Sequence, residues 1–165
     1  DSVLLRTFDA KSGSQPDEHR RMLARDARMR LDTTELRGNT LKTHANHRDW
    51  TPTPYISFTN SPSALKELAD YRHGERRGHQ EIVVVDPRIR FEIGLPVLHC
   101  KDEMGYYDVE NPYRRDYFDG HFLCLWEVTP EEVVGIWDWK YLRSEPNWFE
   151  NIVQPAVETH RENRR

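Results

Sequence analysis

Tyr55-Ile56-Ser57-Phe58-Thr59-Asn60-Ser61-Pro62-Ser63-Ala64-Leu65 changes its period part-way along. The first five residues alternate, with Tyr55, Ser57 and Thr59 on one face and Ile56 and Phe58 on the other. That pattern predicts a strand with a polar side and an apolar side. Ser61 and Pro62 then open a helix, serine as the N-cap and proline at the first helical position. Ala64, Leu65, Leu68, Ala69 and Tyr71 form its apolar face, and Gly74 is its expected end. Hydroxyls on a strand that runs straight into a capped helix make a polar floor beside an apolar wall, where Ser57 and Thr59 can donate to and accept from a ligand. Spacing alone also suits the solvated side of a half-buried sheet.

Upstream, Val3-Leu4-Leu5-Arg6-Thr7-Phe8 reads as a short strand, and Lys11-Ser12-Gly13-Ser14-Gln15-Pro16 as turn chemistry. Residues 18–31 predict a surface helix with a narrow stripe of Met22, Leu23, Ala27 and Leu31. Residues 32–53 read as polar and irregular, with His44 and His47 among them. Downstream, Glu81-Ile82-Val83-Val84-Val85 predicts a buried central strand stopped by Asp86-Pro87. Residues 88–99 read as extended and 100–118 as a long irregular loop. Phe122 to Val128 predicts a second strong strand, and Val134-Gly135-Ile136-Trp137 an edge strand. Trp148, Phe149, Ile152 and Val153 suggest one or two helical turns, halted near Pro155. Short strands with helices mainly toward the N-terminus give an α+β class. The expected organisation is one domain over residues 1–155 and a charged, frayed tail over 156–165.

Composition sets outer bounds. The chain has 165 residues and a mean hydropathy of -0.89, with 36% hydrophobic and 32% charged residues. Its 5 Trp, 7 Tyr and 6 Phe need a core, which excludes a disordered chain. No apolar run approaches the roughly 20 residues that span a bilayer, so no membrane association is expected. A net charge of -4 argues against general nucleic-acid binding. The charge is uneven: residues 1–50 are net basic and residues 86–150 strongly acidic. A basic N-terminal face suits a phosphate-bearing ligand; a solvated acidic surface is the plainer reading of the C-terminal half. Two cysteines, Cys100 and Cys124, form no disulfide framework, so a reduced, intracellular or cytoplasmic setting is expected.

Arg6 follows two leucines inside a strand. A guanidinium there must be paired or must serve a ligand, because isolated burial is too costly, and it suits phosphate or carboxylate through bidentate bonding. His121, Leu123, Leu125 and Glu127 share a strand face by alternation. His121 and Glu127 lie roughly 20 Å apart at ~3.3 Å per residue, so they cannot both touch one reacting atom. His44 and His47 stand at i, i+3, but no third ligand accompanies them, and no metal is expected. No dinucleotide-fold glycine motif, phosphate loop, zinc-protease motif or nucleophile elbow occurs.

Together, the Arg6 strand, the Tyr55–Thr59 strand leading into Ser61-Pro62, and the late Leu125-Trp126-Glu127-Val128 strand resemble the ADP-ribosyltransferase-like superfamily, in its Arg-Ser-Glu branch. Leu4-Leu5-Arg6-Thr7-Phe8 and Thr53-Pro54-Tyr55-Ile56-Ser57-Phe58-Thr59-Asn60-Ser61 are similar to a fungal domain family with this Arg-then-Ser order. The resemblance covers residues 3–140 and implies an ADP-ribosyltransferase-like fold with NAD as its ligand and substrate, the acceptor unknown. It implies that Arg6 contacts the dinucleotide and that Ser57 and Thr59 shape the nicotinamide-ribose pocket. His44 joins these as a binding candidate. The branch carries a Glu at the start of a late strand, where this chain reads Asp119-Gly120-His121. Asp119, His121 and Glu127 are therefore the catalytic candidates, with Glu127 favoured as a Glu beside Trp126. The implied activity is transfer of ADP-ribose or hydrolysis of the nicotinamide–ribose bond, in which a carboxylate stabilises the oxocarbenium-like sugar. Alternatives are an inactive binding module of the same fold, and a small nuclease or phosphotransferase using His44, His47 or His121 with Arg6.

Overall fold

The computed structural model describes residues 2–165. Its strands are β1 (Leu4–Phe8), β2 (Met22–Leu23), β3 (Tyr55–Thr59), β4 (Glu81–Val85), β5 (Val97–His99), β6 (His121–Leu125), β7 (Glu127–Val128) and β8 (Val133–Asp138). Its α-helices are α1 (Thr34–Ala45), α2 (Pro62–Arg72), α3 (Pro87–Glu92), α4 (Cys100–Tyr106), α5 (Trp139–Arg143) and α6 (Gln154–Asn163). Six strands form one antiparallel sheet in the order β5-β6-β3-β1-β4-β8, and β2 with β7 makes a small ribbon. The architecture is α+β, as the sequence predicts. Among the described residues, no helix is long and apolar enough to cross a membrane.

Register sorts the side chains onto two faces. Leu5 opposes Thr59 and Ser57 opposes Leu123, so these four share a face. On that face lie two separate apolar clusters. One gathers Leu5, Ile82 and Val84 beneath Leu65 and Ala69 of α2 and the C-terminal Trp139, Trp148 and Val157. The other gathers Tyr55, Leu123 and Leu125 beneath Leu41 of α1, Cys100 and Met104 of α4, and Phe118. The opposite face carries Leu4, Phe8, Ile56, Phe58, Val83 and Cys124 under the β2–β7 ribbon. The alternation expected for Tyr55–Thr59 is therefore present.

Ser61 caps α2 as expected, its hydroxyl accepting from the Ala64 amide at 3.1 Å. The helix runs past Gly74, which adds a wide π-type turn at His73–Arg77 and stops at Gly78 with φ 82°. Asp86-Pro87 does more than end a strand. Its carboxylate accepts from the Arg88 amide at 3.0 Å and starts α3, so residues 87–92 are helical rather than extended. Cys100–Tyr106 is likewise a helix, with Cys100 and Met104 buried one turn apart.

Three further expectations are corrected. Residues 18–31 form no helix: Met22 pairs with Val128, and the Ala24 amide donates to the Trp126 carbonyl, so tertiary strand pairing overrides a modest helical propensity. The helix forms at Thr34–Ala45 instead, capped by Thr33. Helices are thus not concentrated toward the N-terminus. The tail is not frayed either, because α6 extends to Asn163, buries Val157, and pairs Arg161 with the buried Asp86 at 2.7 Å.

The late strand also breaks. Trp126 has φ 65°, a region costly for a bulky side chain, and its amide and indole N–H donate to the Pro54 and Met29 carbonyls at 2.7 Å each. The chain leaves the main sheet there, and Glu127 enters the ribbon opposite Leu23.

Candidate functional site

Between the two clusters on the α2-covered face lies a cleft of about 480 Å³. Its floor is Leu5, Thr7, Ser57, Thr59, His121 and Leu123. One wall is Leu65, Leu68, Tyr71 and Arg72 of α2, followed by Arg77. The other is His44 at the end of α1 with His47, Tyr117 and Phe118, and residues 49–53 form the rim. Five of the sequence candidates, Arg6, Ser57, Thr59, His44 and His121, therefore line one cavity.

The cleft exists because β1 and β3 pair only briefly. Leu5–Thr59 is their one register pair, and beyond it the strands separate. Alternation points Arg6 toward Leu4 and Phe8, away from Ser57, but its guanidinium reaches into the gap. Nη1 donates to the Ser57 carbonyl and Nη2 to the Ser14 carbonyl, each at 3.1 Å. Its Nε is buried without a hydrogen-bond partner. Arg72 supplies a second guanidinium, with Nη1 donating to the Thr7 carbonyl at 3.0 Å.

The electrostatics follow from this crowding. Burial, then the neighbouring Arg72 and Arg77, push the Arg6 guanidinium down to about 10. Arg72 is lowered in the same way, by burial and by Arg77. Arg77 is held by Asp9, donating at 3.0 Å. Burial alone would raise the Asp9 carboxyl, but hydrogen bonds from Gln80 and Arg77 outweigh it and hold it below the usual carboxylate range. Arg6, Arg25, Arg72 and Arg77 line the cleft, and two carboxylates offset them: Asp9, paired with Arg77, and Asp49, which is exposed at the rim and accepts from the Thr51 amide. The cavity holds surplus positive charge.

His44 is wedged between two hydroxyls, Nδ1 to Thr53 Oγ1 and Nε2 to Ser57 Oγ, both at 2.6 Å. Burial, then the nearby Arg6, lower it to about 3. The ring is neutral at physiological pH and fixes where the Ser57 hydroxyl points. The Thr59 hydroxyl accepts from the Ser61 amide at 3.1 Å, tying the floor to the helix cap. His121 sits edge-on to Tyr117 and Phe118, at 5.4 Å from each, and burial lowers it as well. His47 turns away from His44, its Nδ1 lying 3.1 Å from the Tyr117 hydroxyl. Among the described residues, no group of three or more His, Cys, Asp and Glu could hold a metal ion.

Two catalytic candidates fall outside the cleft. Glu127 pairs with Arg21 on the ribbon, because the turn at Trp126 carries it off the sheet. Asp119 is exposed and paired with Lys101 at 2.9 Å; that hydrogen bond holds its carboxyl below the usual range. Sequence reading missed Arg72, Arg77, Arg25, Trp50 and Tyr117. The basic run ending α2 is a signal for the first two; Arg25 stands in a stretch whose composition favours a helix it does not form, and Trp50 in one without periodicity.

The fold and site define an α+β domain with a cationic, hydroxyl-floored cleft in a partly opened sheet. The chain belongs to the family described as domain of unknown function (DUF7587), whose model matches residues 1–142. That match spans every strand and both walls of the cleft and stops before α6. No curated protein matches the chain.

Proposed function

We propose that the domain has the ADP-ribosyltransferase-like fold and binds NAD in the Arg6–Ser57 cleft. The observation that carries this reading is Arg6, half-buried in the gap between β1 and β3, with its Nε buried and unpartnered and with Arg72 beside it. Arg6 and Arg72, whose donors go to backbone carbonyls rather than to a carboxylate, suit a pyrophosphate, which accepts charge-assisted hydrogen bonds and offsets their mutual repulsion. Ser57 and Thr59 supply hydroxyls on the floor for the ribose.

Binding is favoured over cleavage. Breaking the nicotinamide–ribose bond builds positive charge on the sugar, and an interior carboxylate is the group that stabilises it. Glu127 and Asp119 lie elsewhere, and neutral His44 and His121 cannot offset a cation. Asp49 at the rim is the acid that a transferase or glycohydrolase reading would need.

Calorimetric titration of the full chain with NAD tests the reading, beside an assay for released nicotinamide. The expected result is binding that weakens with added salt, falls about tenfold or more in Arg72→Gln, and releases no nicotinamide. Absence of NAD binding at low salt sinks the proposal. Nicotinamide release that disappears in Asp49→Asn replaces binding with catalysis.

A further inference from the structure

Trp50 is 65% exposed, an unusual setting for the largest apolar side chain, and it lines the cleft. It is not a loose surface ring. Asp49 accepts the Thr51 amide at 3.0 Å and closes a tight turn around it. The Asp26 amide donates to the Thr53 carbonyl at 3.1 Å and ties this segment to residues 24–26. Arg25 then lies over the indole, its guanidinium carbon 5.9 Å from the ring centroid. The route of Arg25 depends on Gly13, where a Cβ would fall 2.3 Å from the arginine Cδ. A side chain at position 13 would push the arginine stem off this path. Among the described residues, Arg25 is the one cation stacked on Trp50, and no aromatic ring stacks on it.

An exposed indole, fixed by its turn and backed by a guanidinium on one face, offers its other face to a planar group. We propose that Trp50 is the platform on which the purine base of a bound nucleotide stacks, with Arg25 as its backing. The inference rests on the nucleotide reading above and adds which half of the ligand lies at the rim. The charge around the rim decides between the two rings of a dinucleotide. Arg25 and the cleft arginines outnumber Asp49, the carboxylate at the rim, so on balance they repel a cationic pyridinium, whereas a neutral purine stacks without that penalty. The base therefore sits at the mouth and the phosphates reach inward to Arg72 and Arg6.

The test uses the full chain with AMP, ribose 5-phosphate and nicotinamide mononucleotide, read by calorimetry and tryptophan fluorescence. Wild type should bind AMP about tenfold more tightly than ribose 5-phosphate, the range that base–aromatic stacking supplies. AMP should quench the fluorescence. Trp50→Ala should level the two affinities and abolish that quenching, and Trp50→Phe should restore most of the preference. A melting curve checks that each variant is folded. If Trp50→Ala keeps the AMP preference, or if nicotinamide mononucleotide is the ligand that loses affinity, the platform assignment is wrong. If wild type binds neither AMP nor NAD, the nucleotide reading falls and takes this proposal with it.

Discussion

At the scale of single residues, His44 carries the sharpest expectation. Its ring is held at about 3 in the folded chain, mainly by burial, against an ordinary value of 6.5. Between those values the unfolded chain takes up a proton that the folded chain refuses. The stability this group contributes is whole above pH 6.5 and is lost as pH falls toward 3. His44→Asn keeps a hydrogen-bonding side chain but removes the titration. The urea midpoint of that variant should decline less steeply than wild type between pH 6.5 and 4. Equal slopes would mean that the ring is protonated in the folded chain. The residues legible in the sequence were those on regular strands, since alternation alone places Ser57, Thr59 and His121 on the cleft face. Glu127 was misplaced because alternation assumes an unbroken strand. One residue with positive φ, Trp126, carries Glu127 and Val128 off the main sheet into the ribbon, and no simple pattern announces it.

At the scale of elements, caps were the most readable signal and the most unevenly read. Ser61-Pro62 and Asp86-Pro87 are the same device, a side-chain acceptor followed by proline, and both start helices. Replacing Ser61 with Ala should cost about 1 kcal/mol, measured by chemical denaturation. An unchanged midpoint would show that Pro62 and the Ser61 backbone suffice. Helix α1 escaped notice because its buried side is only Thr40, Leu41 and Ala45, too sparse for a periodic stripe. Its end signals are present: Thr33 as cap, Glu35 in the first turn, and Lys42 in the last, whose charges complement the helix dipole. The 18–31 stretch failed in the opposite sense. Its composition favours a helix, but Met22 is worth more buried against the ribbon partner than on a helix surface.

At the scale of the whole molecule, the C-terminal helix is part of the fold. Asp86 is fully buried, and Arg161 is its long-range partner; Val157 closes the cluster over β1 and β4. Removing residues 154–165 should lower the unfolding free energy by about 3 kcal/mol or more, because it strands a buried carboxylate. A frayed tail would leave the thermal midpoint unmoved. The pairing order was not legible, since nothing local tells β1 to sit between β3 and β4, nor to part from β3 after one residue pair. Beyond that pair, the Thr7, Ser14 and Ser57 carbonyls take their hydrogen bonds from Arg72 and Arg6 instead of from strand amides. Mechanically, the sheet is two three-stranded leaves meeting at a seam. Backbone stitches it at one end and guanidinium groups stitch it at the other. An anion that drew on those groups would pull on the stitching, and occupancy of the cleft would be felt as tension between the leaves.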